Sequence, residues 1–205
     1  MKKLMIALAI VAIASVAQAE LLASWTFAGG AGTASANGSA ANIGEITVGN
    51  LVRTGLGMAS TAAGQFSSNG FNDGGSIDFS LVVNANYQIA GASLNSTSIQ
   101  GSNTGPGTTQ WQLNGVDAGA PLVRTSSAIV SWGAALGDID AGSHTLSMIS
   151  VGTANVTGGA ISAAGSYRIN DLSLNGDIVA VPEPATMSLL GLGALAMVLR
   201  RKMKK

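Results

Sequence analysis

The sequence predicts an all-β body, with two antiparallel sheets packed as a jelly-roll-like sandwich, followed by one short C-terminal transmembrane helix. Short segments in which apolar and polar residues alternate recur between glycine-rich turns, which is the pattern of half-buried strands. Between residues 20 and 180, no apolar stripe at helical spacing persists over ten residues. Near the C-terminus the pattern changes to one continuous apolar run, which predicts the helix.

The clearest predicted strand is Ser76–Val83, where every second residue from Ile77 to Val83 is apolar. Asn114-Gly115 is a tight-turn dipeptide that predicts a hairpin after the strand at 108–113. This number of short strands favours two packed sheets over a barrel or a β-helix. The other predicted strands are 21–27, 45–51, 87–90, 92–100, 128–132, 144–151 and 166–174.

Two stretches read as surface loops because they consist almost entirely of small and polar residues. They are residues 29–41 and 101–107, and glycine is frequent in both.

The N-terminus has the pattern of a secretory signal peptide. Lys2 and Lys3 precede an apolar segment at 4–16, and Ala17-Gln18-Ala19 supplies the small-x-small pattern that signal peptidase cuts. As a helix, about thirteen apolar residues reach about 20 Å, too short for a hydrocarbon core of roughly 30 Å. We therefore expect residues 1–19 to be a signal peptide, with cleavage between Ala19 and Glu20, rather than a membrane anchor.

The C-terminus combines three features between residues 181 and 205. Val181-Pro182-Glu183-Pro184 comes first, and its two prolines keep the backbone extended. An apolar run at 187–199 follows, and the chain then ends in a cationic segment that starts with Arg200, Arg201 and Lys202. By the positive-inside rule this segment is a cytoplasmic stop, and residues 20–181 lie outside the cytoplasm. A plain tail anchor that is never processed is the alternative interpretation.

These three features, in this order at the end of the chain, resemble the PEP-CTERM sorting signal of Gram-negative bacteria that make exopolysaccharide. The resemblance implies that an integral-membrane protease called exosortase recognises the segment at Pro182, Glu183 and Pro184. It also implies export through the inner membrane, transient anchoring by the C-terminal helix, and a final location at the cell surface or outside the cell. The domain prediction is a signal peptide at 1–19, an exported β-sandwich at 20–180 and a sorting segment at 181–205.

The body is acidic, although the whole chain has a formal net charge of zero. Residues 20–181 contain three arginines, no lysine, and nine aspartates and glutamates, which gives a formal net charge of −6. Nucleic-acid binding relies on Lys and Arg to neutralise phosphates, so that function class is excluded. The chain has no cysteine, which excludes disulfides and thiolate metal sites.

Few residues of the body suggest catalysis. His144 is the only histidine, and a structural role is expected for it. Asp138 and Asp140 lie on one side of an extended chain, about 6 to 7 Å apart at a rise of roughly 3.3 Å per residue. Such a pair suggests a glycosidase or a Ca²⁺ site, but the flanking glycines place it in a turn. We predict no catalytic residue, cofactor or metal.

Trp111 is the candidate glycan contact, because it lies between two glutamines after a polar loop and an indole can stack on a sugar ring. Trp25 and Trp132 share strand faces with apolar residues and are expected in the core.

The leading hypothesis is an exported, non-enzymatic protein of the cell envelope or extracellular matrix, with signal peptidase and exosortase as processing partners. The second is an extracellular module that binds exopolysaccharide or another glycan. An extracellular hydrolase is the third.

Overall fold

The computed structural model describes residues 19–25, 27, 36–38, 44–60, 64–181 and 192. A short 3₁₀ turn at Phe71–Asp73 precedes the seventh strand. The strands, in chain order, are β1 (Glu20–Trp25), β2 (Ala36–Gly38), β3 (Ile46–Val48), β4 (Val52–Thr54), β5 (Gly57–Met58), β6 (Phe66–Asn69), β7 (Ser76–Val83), β8 (Tyr87–Gly101), β9 (Thr108–Leu113), β10 (Val116–Val123), β11 (Val130–Ile139), β12 (Gly142–Ser150), β13 (Tyr167–Ile169) and β14 (Leu172–Ala180).

These strands form two antiparallel sheets, so the predicted all-β fold with two antiparallel sheets is confirmed. The larger sheet has eight strands in the order β2-β1-β14-β8-β13-β6-β5, and β11 pairs with the free edge of β8. The smaller sheet has six strands in the order β10-β9-β12-β7-β3, and β4 also pairs with β7. The long strand β8 is central, because β14 and β13 follow one another along one of its edges.

The core lies between the two sheets and is one cluster of buried apolar side chains. The alternation predicted for Ser76–Val83 is observed, since every second residue from Ile77 to Val83 is buried and the residues between them are half-buried or exposed. Aromatic rings connect the sheets: Trp25 lies 4.6 Å from Phe79, and Phe79 lies 6.0 Å from Trp111, between ring centroids. The core placement expected for Trp25 is confirmed by its 1% exposure.

The turn predicted at Asn114-Gly115 is present between β9 and β10. Both residues have positive φ, 53° and 80°, as a two-residue hairpin turn requires. The partner strand β10 was not predicted, because it contains one glycine and one proline among small side chains and lacks apolar alternation.

Other strands differ from the prediction at particular residues. The segments 87–90 and 92–100 form one strand, because Gly91 adopts a φ of 59° and bulges without ending it. The predicted strand 166–174 is instead two strands, divided at residues 170–171. Of the predicted loop 29–41, residues 36–38 form β2.

The loop 101–107, predicted at the surface, is partly buried. Gly101, Gly105, Pro106 and Gly107 are buried, and so is the side chain of Arg124 beside them, which is only 3% exposed. The guanidinium Nη2 donates to the carbonyl oxygens of Gly101 (2.9 Å) and Ser126 (3.2 Å).

The predicted transmembrane helix falls almost entirely outside the described residues. Within the part of the chain that is described, no helix is long and apolar enough to cross a membrane.

Candidate functional site

The two ends of the body lie side by side in the larger sheet. Strand β1 pairs with β14, and Glu20 stands opposite Gly176. Because the pairing is antiparallel, the chain enters through β1 and leaves through β14 at the same end of the sheet. We call this the exit end; it includes the turn at residues 84–86, which joins β7 to β8.

The last hydrogen bond of the body joins Val181 to Asn86. Ala180 is opposite Tyr87 in the ladder, and the backbone N–H of Val181 then donates to the carbonyl oxygen of Asn86 at 2.7 Å. Asn86 has a φ of 71°, a left-handed conformation in which asparagine is tolerated. Prolines follow at 182 and 184 and have no N–H to donate, so they cannot continue the ladder.

The predicted sorting residues other than Val181 fall outside the described part of the chain. These are Pro182, Glu183 and Pro184, with the cytoplasmic stop at Arg200, Arg201 and Lys202. Val181 itself is 44% exposed, so the segment leaves the body at the surface.

The predicted signal-peptidase site lies at the other chain end. Ala17 falls outside the described residues, Ala19 is exposed, and Glu20 is the first residue of β1. Two residues further on, Leu22 is 2% exposed and Ala23 is fully buried. The N-terminal strand thus enters the core directly after the predicted cleavage point.

Trp111, the candidate glycan contact, is a core residue. It is 2% exposed, with Phe79 on one side and Trp132 stacked on the other at a centroid distance of 6.3 Å. The polar neighbours that suggested an exposed strand point elsewhere: the Gln110 amide donates to the carbonyl oxygen of Ala118 (2.7 Å), and Gln112 donates to Asp117 (2.9 Å). This burial counts against the predicted sugar stacking at Trp111, because no ring face is open to solvent.

Both ring nitrogens of His144 lie within hydrogen-bond distance of a polar group, the Asn114 side-chain amide and the Asp140 carbonyl oxygen. The backbone N–H of Thr145 donates to Oδ1 of Asn114 at 2.9 Å, which turns the Asn114 Nδ2 toward His144 Nδ1 at 3.0 Å. On its other side, His144 Nε2 lies 2.9 Å from the carbonyl oxygen of Asp140. His144 therefore connects the tip of the β9–β10 hairpin to the turn before β12.

The two candidate carboxylates, Asp138 and Asp140, both accept hydrogen bonds from β8 at the exit end. Asp138 accepts the backbone N–H of Gly91 at 2.9 Å, which caps the bulge in β8, and Asp140 accepts the side-chain amide of Gln88 at 2.9 Å. Among the described residues, no group of three or more His, Cys, Asp or Glu side chains could hold a metal ion.

A groove of about 420 Å³ lies between the β9–β10 hairpin and β11. Gly119, with a φ of 67°, lets the two backbones approach, since a Cβ there would lie 2.8 Å from the Ala135 nitrogen. The lining includes Leu113, Asn114, Val116, Asp117, Ala118 and Leu136. Its polar groups are already hydrogen-bonded at Asn114 and Asp117, so the groove lacks a converging set of polar groups.

At the opposite end of β8, the buried Arg124 and Tyr167 form a polar centre that no sequence pattern predicted. Burial lowers the pKa of Arg124, and burial raises the pKa of Tyr167 despite its hydrogen bond to Thr109 and the nearby Arg124 charge. The phenol oxygen lies 3.1 Å from Thr109 Oγ1. Both groups keep their ordinary ionisation states at neutral pH and serve to fix the loops around them.

Residues 180–202 match the PEP-CTERM protein-sorting motif. The chain thus carries the sorting motif that its C-terminal residues resemble, and the match begins at the last residue of β14. No curated protein matches the chain in sequence.

Among solved structures, the body is similar to two carbohydrate-binding modules and an enzyme. The CBM35 from Cellvibrio japonicus Abf62 is 17% identical, with 57% of this chain and 78% of that chain covered and a TM-score of 0.33. A family 35 carbohydrate binding module from Clostridium thermocellum is 15% identical, with coverages of 63% and 90% and a TM-score of 0.33. An exo-beta-1,3-galactanase from Phanerochaete chrysosporium is 13% identical, with coverages of 78% and 30% and a TM-score of 0.31. At such TM-scores the backbones superpose only in part, so no function is inferred from these likenesses.

Proposed function

We propose that this chain is an exported, non-enzymatic protein of the cell envelope or extracellular matrix that the exosortase system sorts. The observation that carries the proposal is the sorting motif at 180–202, which begins where the folded body ends. In this proposal exosortase recognises Pro182, Glu183 and Pro184, while Arg200, Arg201 and Lys202 hold the tail in the cytoplasm.

The arrangement of the chain ends supports this route. A signal peptide before Glu20 and a helix after Val181 would both leave from the exit end of the larger sheet. Both could therefore reach one membrane without crossing the body. Removal of the signal peptide at Ala17-Gln18-Ala19 would leave the body attached through its C-terminal helix alone until sorting releases it.

The non-enzymatic role is supported by the hydrogen bonds that the candidate catalytic side chains make within the body. Asp138, Asp140 and His144 each bond to a neighbouring turn or strand of the exit end. The body also combines a net negative charge with only three arginines, of which Arg124 is buried. Nucleic acid is therefore not among the proposed partners.

Comparison of cells with and without exosortase tests the proposal. Mass spectrometry of envelope and medium fractions should find a mature chain that starts at Glu20 and has lost residues 200–205 when the protease is present. With exosortase deleted, the same N-terminus should occur on a chain that keeps its tail. An intact tail in both strains would mean that residues 181–205 are an ordinary membrane anchor and not a sorting signal.

A second candidate function is glycan binding on the outer face of the larger sheet. Cross-strand partners share a face, and Ser24, Ser173, Asn95 and Gly133 form one row across four strands. The next row includes Asn175 and Ser93.

The serines and asparagines of these two rows are polar side chains without charge. Asn95 donates to Ser93 Oγ and Asn175 donates to Ser173 Oγ, both at 3.2 Å, so the amides lie along the strands. Neutral hydroxyl-rich chains such as exopolysaccharide have complementary hydrogen-bonding groups. A glycan array would support this function if binding were lost in N95A/N175A and kept in S147A on the smaller sheet; no binding by the wild-type protein would contradict it.

A further inference from the structure

Part of the outer face of the larger sheet carries polar side chains that the body leaves without partners. We call it the Arg168 strip; its residues are Ser67 on β6, Arg168 on β13, Gln100 on β8, and Asn170 just after β13. Arg168 is the direct cross-strand partner of Ser67 on one side and of Gln100 on the other. The residues before and after Arg168 in β13 are buried in the core, so Arg168 and its two partners face outward.

Three polar atoms of the strip are buried without a hydrogen-bond partner in the described part of the chain. They are Ser67 Oγ, Arg168 Nε and Asn170 Oδ1. The Asn170 amide is fixed by its Nδ2, which donates to Ser98 Oγ at 2.8 Å. Folded proteins satisfy nearly all buried polar side-chain atoms, so three exceptions at neighbouring positions of one face call for an explanation.

Arg168 differs from the other two arginines of the body. Arg124 is 3% exposed and donates to backbone carbonyl oxygens. Arg53 lies 3.9 Å from the centroid of the Phe66 ring and donates to the carbonyl oxygen of Ser67 at 2.8 Å. No described residue accepts a hydrogen bond from the Arg168 guanidinium, and only its Nε is shielded from solvent. A ligand can therefore bind this cation without breaking a bond within the body.

The Gln100 amide lies next to this cation. Direct partners in an antiparallel pair have Cβ atoms about 4.5–5.5 Å apart, so the two long side chains can reach the same ligand. Gln100 is half-buried, and its amide also makes no hydrogen bond to any residue that the structure describes. It thus offers two N–H donors and one carbonyl acceptor beside the guanidinium.

These groups match a ligand that has both a carboxylate and hydroxyl groups. A guanidinium binds a carboxylate through two parallel hydrogen bonds, and an amide can both donate to and accept from a hydroxyl. Residues 20–181 have a formal net charge of −6, which disfavours the approach of a densely charged polyanion. The charge balance therefore favours single carboxylates spaced among neutral hydroxyls, as in an acidic sugar, over a run of phosphates.

We propose that Arg168 and Gln100 form a subsite for an acidic sugar residue of an extracellular glycan, with Arg168 on its carboxylate and Gln100 on its ring hydroxyls. This inference rests on the second candidate function and names its ligand class. The subsite lies on the same outer face as the neutral rows that include Asn95 and Asn175, so one glycan chain can contact both.

Calorimetric titration of the full-length chain in detergent tests the proposal with two matched probes. One is a trisaccharide with a glucuronic acid between two glucose residues, and the other is its methyl ester, which keeps the hydroxyls and removes the charge. We expect the wild type to bind the acid about tenfold more tightly than the ester, since a hydrogen-bonded charge adds about 1.5–3 kcal/mol.

Three variants separate the roles of the two side chains. Arg168→Gln should remove the preference for the acid, while Gln100→Ala should weaken binding of acid and ester alike and keep the preference. Thr47→Glu is the matched control, because it makes the same change in net charge at an exposed residue of β3 and should bind as the wild type does. Loss of the preference in Thr47→Glu would mean that net charge and not Arg168 selects the ligand. Unchanged affinities in Gln100→Ala would exclude Gln100 from the site.

The comparison of acid and ester on the wild type needs no variant, so it holds even if Arg168→Gln fails to fold. Equal affinity for the two probes would contradict the carboxylate subsite and would still support binding of neutral glycan. No binding of the acid would overturn the inference, and the glycan array decides the second candidate function separately. Inorganic phosphate that displaces the acid at equal concentration would show a general anion site and overturn the assignment to a sugar.

Discussion

The carboxylate of Asp171 accepts both the backbone N–H and the hydroxyl of Thr97, at 3.0 Å and 2.6 Å. It also accepts the Ser96 hydroxyl and the Ser98 backbone N–H, at 3.0 Å and 2.9 Å. Asp171 lies in the bend between β13 and β14, so these bonds fix the start of the C-terminal strand against β8. Partial burial opposes ionisation of Asp171, but the hydrogen bonds from Thr97, Ser96 and Ser98 outweigh it and lower the carboxyl pKa.

This lowered pKa predicts an acid-sensitive contribution to stability. A carboxyl whose folded pKa lies below its unfolded value, about 3.9, stabilises the fold above about pH 4 and loses that contribution as the pH falls through the folded pKa. We expect Asp171→Asn to lower the free energy of unfolding by about 1 kcal/mol at pH 7, since solvent screens a partly exposed group. Urea unfolding followed by tryptophan fluorescence measures it.

The difference between Asp171→Asn and wild type should shrink as the pH is lowered toward about 2. Asp138→Asn is the control, because Asp138 is exposed and accepts one hydrogen bond from Gly91. A difference that is the same at every pH would mean that the charge of Asp171 is not what stabilises the bend.

His144 should be the neutral tautomer with its proton on Nε2. Thr145 N–H can only donate, so it fixes the Asn114 amide with Nδ2 toward His144 Nδ1, which must accept. The Asp140 carbonyl can only accept, so Nε2 must carry the hydrogen. Because the chain has one histidine, the imidazole ¹⁵N resonances at pH 8 identify the tautomer without assignment. A proton on Nδ1, or an averaged spectrum unchanged by Asn114→Ala, would contradict this network.

Trp111 should behave as a core residue. Replacing a buried aromatic side chain with alanine removes packing and leaves a cavity, so Trp111→Ala is expected to lower the unfolding free energy by about 3–5 kcal/mol. Trp132→Ala should cost less, because Trp132 is only half-buried. Denaturant titration followed by circular dichroism compares the two. Equal, small effects would show that Trp111 is not packed between Phe79 and Trp132.

Gly101 is required by the close approach of the loop around Arg124. A Cβ at this position would lie 2.4 Å from the Ser166 carbonyl oxygen and 2.6 Å from Arg124 Nη1. We expect Gly101→Ala to destabilise the protein by about 1–3 kcal/mol through overpacking. Gly44→Ala is the matched control, since a Cβ there would have no neighbour within 4 Å. Thermal unfolding of both variants decides whether the loop is as tightly packed as described.

The sequence predicted those strands whose alternation is local. Ser76–Val83 and Thr108–Leu113 were predicted with their observed bounds, because each carries a clear pattern or ends at a turn dipeptide. The sequence interpretation places a strand break at Gly91, because a glycine at a bulge and a glycine at a strand end have the same sequence pattern. Only the structure shows that the Gly91 N–H donates to Asp138 and that the strand continues. The loop at 101–107 is hydrogen-bonded to Arg124 and Ser166, which lie far along the chain, so composition alone could not predict its burial.

The sorting residues could be predicted because they form a contiguous motif with a physical role for each part. The pairing of Glu20 with Gly176 could not, because it joins residues at opposite ends of the body and depends on which strands become neighbours. Trp111 was predicted to be a glycan contact because two glutamines flank it. The side chains of both glutamines instead form hydrogen bonds within the β9–β10 hairpin, and Trp111 is buried.

Sorting specificity should reside in Pro182, Glu183 and Pro184 rather than in the hydrophobicity of the segment that follows. Their replacement by alanine leaves the apolar run and the basic stop unchanged, so membrane insertion should persist. Without the prolines, the helix can extend outward by about a turn and hide the backbone that a protease must hold extended. Loss of Glu183 also removes a charge from the outer side of the membrane. The triple-alanine variant should therefore accumulate uncut in the membrane fraction, while Leu189→Val is sorted almost normally. Immunoblots of membrane and medium fractions measure both, and normal release of the triple variant would place recognition elsewhere in the chain.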